Sequence, residues 1–191
     1  MMPSATDTLL QEAQDAAKKG KLPPVHLWNP AFCGDLDMEI RRDGTWFYEG
    51  TPIGRKPLVR LFSTILKLED GKYFLVTPVE KVGIRVVDAP FVAVDIEASG
   101  HKTEQVLSFS TNVEDTVIAG PDHAIRVERN EAGEPSPYVH VRAGLEALID
   151  RKSFYRLVDL GTSHKVDGVE MFGVWSGGAF FPIIDMAALD P

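Results

Sequence analysis

Three cationic side chains lie close together at the start of a helix that the sequence predicts over residues 57–66. They are Arg55, Lys56 and Arg60. Cations at the N-terminal end of a helix are unfavourable by about 0.3 kcal/mol or more each, so their concentration there favours a negatively charged partner. Free backbone N–H groups at a helix start, combined with cations, suit a phosphate or carboxylate ligand. The alternative is that these cations pair with some of the 28 acidic side chains of the chain.

Two aromatic residues and one more lysine complete the predicted binding site. Trp46 and Tyr48 lie in a predicted hairpin just before the helix, where either ring could stack on a ligand. Trp46 is also predicted to lie opposite Arg41 as a cation–π pair. Lys81 follows Glu80 in a predicted loop and could assist in binding an anion. The alternative for this loop is a solvated turn.

Acidic residues alternate along one predicted strand, at Asp35, Asp37 and Glu39. Side chains two positions apart share one face of a strand. Carboxylates grouped in this way could hold Mg²⁺, which takes oxygen ligands and keeps several waters. We therefore assign Asp35 and Asp37 as a candidate metal site. The alternative is a solvated hairpin face, since antiparallel sheets often have one polar side.

The sequence offers little other chemistry. Cys33 is the single cysteine, and we expect a small buried thiol. The five histidines have no metal-ligand spacing, and neither a nucleophile elbow nor a Walker loop is present. No catalytic residues are predicted and the cofactor stays unknown. Whether the protein is an enzyme stays undecided, with the balance against it.

Two Asp-Gly pairs position the candidate site residues. Asp43-Gly44 and Asp70-Gly71 are each flanked by strand-like sequence, which predicts two hairpins with two-residue type I′ turns. For the first hairpin this register pairs Ile40 with Phe47. Apolar residues at 36, 38, 40 and 47 then form a core face, and Trp46 and Tyr48 join the carboxylates on the other face.

The remaining patterns predict a strand-dominated α+β protein. A helix is expected over residues 8–19, ending at Lys19 and Gly20, with a narrow Ala-rich face that adds little to a core. Strands follow through the middle of the chain, then a short helical pattern containing Leu145, Leu148 and Ile149, and a strand at FYRLVDL. Hairpin, short helix and hairpin occur at 34–77 and again at 123–183, which indicates duplication. We expect an N-terminal helix and linker (1–22) and two similar halves (23–90 and 91–191).

Composition limits the partners. The 191 residues carry a formal net charge of −8, which disfavours binding to nucleic acid. No apolar run approaches the roughly 20 residues of a membrane span, and no leader pattern is present. With a single cysteine, these features favour a reducing compartment and a cytoplasmic protein; the oligomeric state stays open.

Several short motifs resemble a known bacterial family. They are GDLDM at 34–38, DGTWFY at 43–48, TPIGR at 51–55, RLFS at 60–63, LVTPVEK at 75–81 and DAPF at 88–91. In order and spacing they resemble the family catalogued as domain of unknown function 1285, over about residues 22–184. The resemblance implies a duplicated α+β core, a C-terminal half like pleckstrin-homology domains, and a pocket between the halves. It also implies a nucleotide-like ligand and a role in signal transduction, and it assigns no catalytic residues.

Three hypotheses for function follow. The first is a regulatory protein that binds a small anionic ligand, nucleotide-like or other, between its two halves, with Arg55, Lys56 and Arg60 meeting the charge. The second is an enzyme that uses Asp35 and Asp37 with Mg²⁺ on a phosphorylated small molecule. The third is a protein–protein interaction module, which a broad apolar patch would favour over a concave cleft.

Overall fold

The computed structural model describes residues 5–18 and 22–189, which contain three α-helices and fifteen β-strands. The helices are α1 (Ala5–Ala17), α2 (Lys56–Thr64) and α3 (Arg151–Asp159). The first six strands are β1 (Phe32–Ile40), β2 (Trp46–Tyr48), β3 (Thr51–Pro52), β4 (Leu66–Glu69), β5 (Lys72–Val76) and β6 (Lys81–Val86). The next six are β7 (Phe91–Ser99), β8 (Val106–Thr111), β9 (Thr116–Ile118), β10 (Ile125–Arg129), β11 (Pro135–Arg142) and β12 (Leu145–Ile149). The last three are β13 (Thr162–Val166), β14 (Val169–Ser176) and β15 (Ala179–Asp185).

The chain divides into two compact units, Met1–Pro90 and Phe91–Pro191. Each unit contains a six-stranded sheet, so the predicted strand-dominated α+β class is confirmed. In the N-terminal unit the strand order is β3-β2-β1-β6-β5-β4, and the central pair, β1 and β6, is parallel. Two antiparallel meanders are thus joined side by side, and α2 connects them in the chain.

The two Asp-Gly pairs form different turns. Asp70 and Gly71 both have positive φ, 48° and 76°, which confirms the predicted type I′ turn between β4 and β5. At the other pair only Gly44 has positive φ, 85°. The Arg41 N–H donates to the Thr45 carbonyl at 2.9 Å, which closes a three-residue loop of residues 42–44. The predicted two-residue turn is therefore wrong at this hairpin.

This longer loop shifts the hairpin register by one residue. Ile40 pairs with Trp46 and Glu39 with Phe47, instead of the predicted pairing of Ile40 with Phe47. A shift of one residue exchanges the two faces of a strand. Trp46 is therefore buried, with 1% of its surface exposed, and Phe47 lies on the polar face. The Arg41 guanidinium lies 3.6 Å from the centre of the Phe47 ring, so the cation–π partner is Phe47 and not Trp46.

Helix α1 adds to the core of the N-terminal unit. Leu9 and Ala13, one turn apart, are both fully buried, although the sequence favoured a helix that contributes little. Lys19 and Gly20, the expected end of this helix, lie outside the described residues. The single cysteine also differs from expectation, because the Cys33 thiol is exposed.

The C-terminal unit repeats the topology of the first sheet. Its strand order is β10-β11-β12-β7-β8-β9, again with a parallel central pair, β7 and β12. The six-strand correspondence therefore begins at Phe91, and not at residue 123 as the hairpin–helix–hairpin pattern suggested. A third sheet, β13-β14-β15, follows α3 and has no counterpart in the first unit among the described residues.

Two segments of the C-terminal unit have a different secondary structure from the one predicted: the expected helix is a strand, and the expected strand is a helix. The expected helical pattern around Leu145 is strand β12, in which Leu145, Ala147 and Ile149 alternate as buried residues. The expected strand at FYRLVDL lies largely within helix α3. Asp150 caps this helix by accepting a hydrogen bond from the Ser153 N–H at 2.8 Å. In a short apolar segment, periodicity alone does not distinguish a helix from a strand. Here the Asp150 cap favours a helix that begins at Arg151.

Candidate functional site

The main candidate site is an open groove of about 720 Å³ in the N-terminal unit. Leu10 and Gln14 of α1 line one part of it, and residues 54–58 with Leu61 line the rest. We call it the α1–α2 groove. It exists because Leu9 and Ala13 anchor α1 in the core, while Leu10 and Gln14 face outward beside the start of α2. Its volume is within the range of about 300–1,000 Å³ that is typical of small-molecule sites.

Two of the three predicted cations line this groove. Arg55 and Lys56 are both exposed, and neither forms an ion pair or a side-chain hydrogen bond with any other described residue. Arg60, one turn further along α2, is exposed, has an interaction of its own, and does not line the groove. The structure therefore brings Arg55 and Lys56 together at a concave surface.

The two nine-residue helices differ at their N-terminal ends. Both begin beside an arginine and a lysine: Arg55 and Lys56 at α2, Arg151 and Lys152 at α3. At α3 the Asp150 carboxylate caps the helix and offsets the positive end. At α2 the capping residue is Arg55 itself, and no side chain caps the helix. The start of α2 thus concentrates positive charge without an acidic cap.

Backbone donors at the start of α2 are few. Pro57 has no N–H group, and the N–H groups of Leu58 and Val59 donate to the Arg55 carbonyl at 3.0 and 3.2 Å. The sequence suggested that free backbone N–H groups would help to bind an anion. In the structure the positive charge of the groove comes mainly from the Arg55 and Lys56 side chains.

The predicted aromatic residues do not line the groove. Trp46 is buried and stacks on Phe62 of α2, with ring centres 6.2 Å apart and planes 17° apart. The Tyr48 hydroxyl accepts a hydrogen bond from the Thr6 hydroxyl of α1 at 2.9 Å. Both rings support the helices that form the groove, and we leave them out of the proposed contact surface.

Lys81 lies on the other face of the first sheet. Along β6 it alternates with the buried Val82 and Ile84. Its ammonium group pairs with Glu69 and lies 4.3 Å from the centre of the Phe74 ring. Hydrogen bonds from Lys67 and then Lys81 hold the pKa of Glu69 below its usual value. These interactions explain Lys81 as part of a surface cluster, apart from Arg55 and Lys56.

Asp35 borders a second, smaller groove of about 450 Å³ on that same face, and Asp37 does not line it. Arg85 of β6 donates to Asp37 Oδ1 at 2.9 Å and to Glu39 Oε2 at 3.3 Å. The Asp35 carboxylate lies against Gly83, where any Cβ would collide with it. Among residues 5–18 and 22–189, no group of three or more metal-ligating side chains is assembled. The magnesium site stays a prediction, and Arg85 already supplies positive charge to two of the three carboxylates.

Glu12 of α1 and Glu80, in the turn between β5 and β6, interact electrostatically, which sequence reasoning missed. Glu12 Oε2 and Glu80 Oε2 are each sealed from solvent with no hydrogen-bond partner among the described residues. Burial, and then the negative charge of Glu12, raise the pKa of Glu80. The two residues are far apart in the chain, so only the tertiary fold reveals the pair.

Fold and site together define a class: a two-unit, strand-dominated α+β protein with an open cationic groove in its first unit. Within the described part of the chain, no helix has the length and apolar character that crossing a membrane requires. Two family models match, "Domain of unknown function (DUF1285), N-terminal domain" at residues 23–89 and "Protein of unknown function (DUF1285), C-terminal domain" at residues 90–183. The chain therefore belongs to the DUF1285 family, which confirms the resemblance seen in the sequence.

Two solved structures are similar to this chain. A DUF1285 family protein from Silicibacter pomeroyi DSS-3 has 59% sequence identity and a TM-score of 0.86, over 96% of this chain and 98% of that chain. A DUF1285 family protein from Shewanella baltica OS155 has 30% identity and a TM-score of 0.52, over 65% of this chain and 91% of that chain. No curated protein matches the chain. These descriptions support the family and the fold, and they name no activity.

Proposed function

We propose that this protein is a ligand-binding or regulatory protein that takes a small anionic ligand in the α1–α2 groove. One observation carries the proposal: Arg55 and Lys56, exposed and unpaired among the described residues, meet at a groove of about 720 Å³. At the comparable start of α3, Asp150 offsets the positive end of the helix. An anion in the groove would supply the negative charge that the chain does not provide at α2.

The wider setting of the proposal comes from the family resemblance. It implies a signalling role, a nucleotide-like ligand and a C-terminal half like pleckstrin-homology domains. We place the protein in the cytoplasm, because a single cysteine suits a reducing compartment. The groove that we assign lies wholly in residues of the N-terminal unit, so its ligand can be tested without reference to the second unit.

A thermal-shift panel of nucleotides, phosphates and carboxylates tests the proposal. A ligand at 100 times its dissociation constant stabilises the folded protein by about 2.7 kcal/mol. At this chain length the melting temperature should rise by roughly 5–10 °C. A double variant, Arg55→Gln with Lys56→Gln, should abolish the shift.

The matched control replaces the cations at the other helix, Arg151→Gln with Lys152→Gln. It removes the same two side-chain types and the same charge, from a helix start that already has an acidic cap. This control should keep the full shift. If no compound of the panel raises the melting temperature, or if both double variants lose the shift equally, the assignment to the α1–α2 groove is wrong.

A further inference from the structure

We propose that the ligand of the α1–α2 groove is a single-chain aliphatic carboxylate, with its acid group on Arg55 and Lys56 and its hydrocarbon chain along the apolar wall. This inference rests on the proposed function and specifies its ligand class. It differs from the nucleotide-like ligand that the family resemblance implies.

Apart from Gln14, the side chains that line the groove beside the two cations are aliphatic. Leu10 of α1 faces Pro57, Leu58 and Leu61 around α2, and the three leucines are half-buried. No aromatic ring is among the described residues that line it, because Trp46 is buried against Phe62. A base or another flat ring would therefore lack a stacking partner, whereas an alkyl chain gains from burial against leucine and proline.

The polar end of the groove suits a carboxylate. An arginine can bind both oxygens of a carboxylate through two parallel hydrogen bonds, and a lysine adds a second point charge. Phosphate sites at helix starts rely on several backbone N–H groups. Here Pro57 has none, and the Leu58 N–H is already bonded to the Arg55 carbonyl at 3.0 Å. Two side chains with few backbone donors favour a carboxylate over a phosphate group.

A chain-length series measures the hydrocarbon contact. Hexanoate, octanoate and decanoate are titrated into the full chain by isothermal calorimetry, below the concentrations at which they form micelles. Each methylene that the groove buries should strengthen binding on the order of twofold to fourfold. Decanol, which lacks the charge, should bind at least tenfold more weakly than decanoate. A ¹³C label on the decanoate carboxyl carbon reports directly on the contact with the cations.

Variants locate the binding. Arg55→Gln with Lys56→Gln should weaken decanoate binding at least tenfold and abolish the change in the ¹³C signal. The control Arg151→Gln with Lys152→Gln should leave both unchanged. Leu58→Asn alters only the apolar wall, so it should flatten the dependence on chain length while the ¹³C change remains. All these positions are exposed or half-buried, and an unchanged circular dichroism spectrum checks the fold.

The outcomes separate this inference from the proposed function. Decanoate binding that depends on Arg55, Lys56 and chain length supports both. If adenosine diphosphate or inorganic phosphate binds through Arg55 and Lys56 while decanoate does not, the aliphatic class is wrong and the groove assignment stands. If decanoate binds equally to all variants, it binds elsewhere and the inference is wrong. If nothing in the panel binds, both proposals are overturned.

Discussion

The hydroxyl of Ser176 should be essential for the stability of the C-terminal unit. Ser176 is fully buried at the end of β14. Its Oγ accepts a hydrogen bond from the Leu107 N–H at 2.9 Å and donates one to the Ala119 carbonyl at 2.7 Å. The Ala119 N–H donates to the Leu107 carbonyl at 2.9 Å. A direct hydrogen bond from the Leu107 N–H to the Ala119 carbonyl would complete the pair, and the Ser176 hydroxyl bridges these two groups instead. The hydroxyl therefore links the third sheet to β8.

Ser176→Ala would leave one buried N–H and one buried carbonyl without a partner. Each unsatisfied group costs about 1–3 kcal/mol, so the free energy of unfolding should fall by about 2–6 kcal/mol. With a urea m-value of about 3 kcal/mol/M, the upper end of the usual range, the midpoint should fall by about 0.7–2 M. Unfolding in urea is followed by circular dichroism, and hydrogen exchange over residues 105–120 should show where protection is lost.

Ser110→Ala is the matched control, because Ser110 lies exposed on the same strand, β8. Its effect should be within about 0.5 kcal/mol of zero. A loss below about 1 kcal/mol for Ser176→Ala would refute the reasoning. It would mean that Leu107 and Ala119 close their own hydrogen bond, or that water replaces the hydroxyl.

Two further substitutions test other contacts. Because the pKa of Glu80 is raised by burial and by Glu12, the native state holds this proton more tightly than the unfolded chain. The stability that this proton contributes is therefore fully present when the pH is below 4.5, the ordinary pKa of glutamate. It is lost as the pH rises through the raised pKa of Glu80. Glu80→Gln should lose less stability than the wild type as pH rises above 4.5 in urea titrations, and an equal loss would contradict the raised pKa of Glu80. Asp150→Ala removes the cap on the Ser153 N–H and should cost about 0.5–2 kcal/mol in the same assay, whereas Asp159→Ala at the other end of α3 should not destabilise the protein.

The two Asp-Gly hairpins show how far local sequence determines the backbone. At Asp70-Gly71 both residues adopt positive φ, and the two-residue turn follows directly from the residue types. At Asp43-Gly44 the Asp43 carboxylate instead accepts a hydrogen bond from the Thr45 N–H at 2.9 Å within a three-residue loop. Both loops are compatible with the same dipeptide. The choice between them depends on burying Trp46 against Phe62, a contact that the hairpin alone does not contain.

At the candidate site too, some features follow from local sequence and others depend on tertiary contacts. Arg55 and Lys56 were recognisable from sequence, because cations at a helix start are locally unfavourable. The groove was not recognisable, since it needs α1 (Ala5–Ala17) beside α2 (Lys56–Thr64), two helices that are distant in the chain. Lys81 and the carboxylates near Arg85 belong to the opposite face of the sheet, which the register of β6 decides.

By itself, the sequence determined the strand-dominated class, the family, the type I′ turn at Asp70-Gly71 and the cations at the start of α2. These features depend on residue types within a few positions of each other. Only the tertiary structure decided the burial of Trp46, the strand at Leu145 and the parallel pairs at the centre of each sheet. Burial and parallel pairing join segments that are distant in the chain, and their free energy depends on the surface that both segments remove from water.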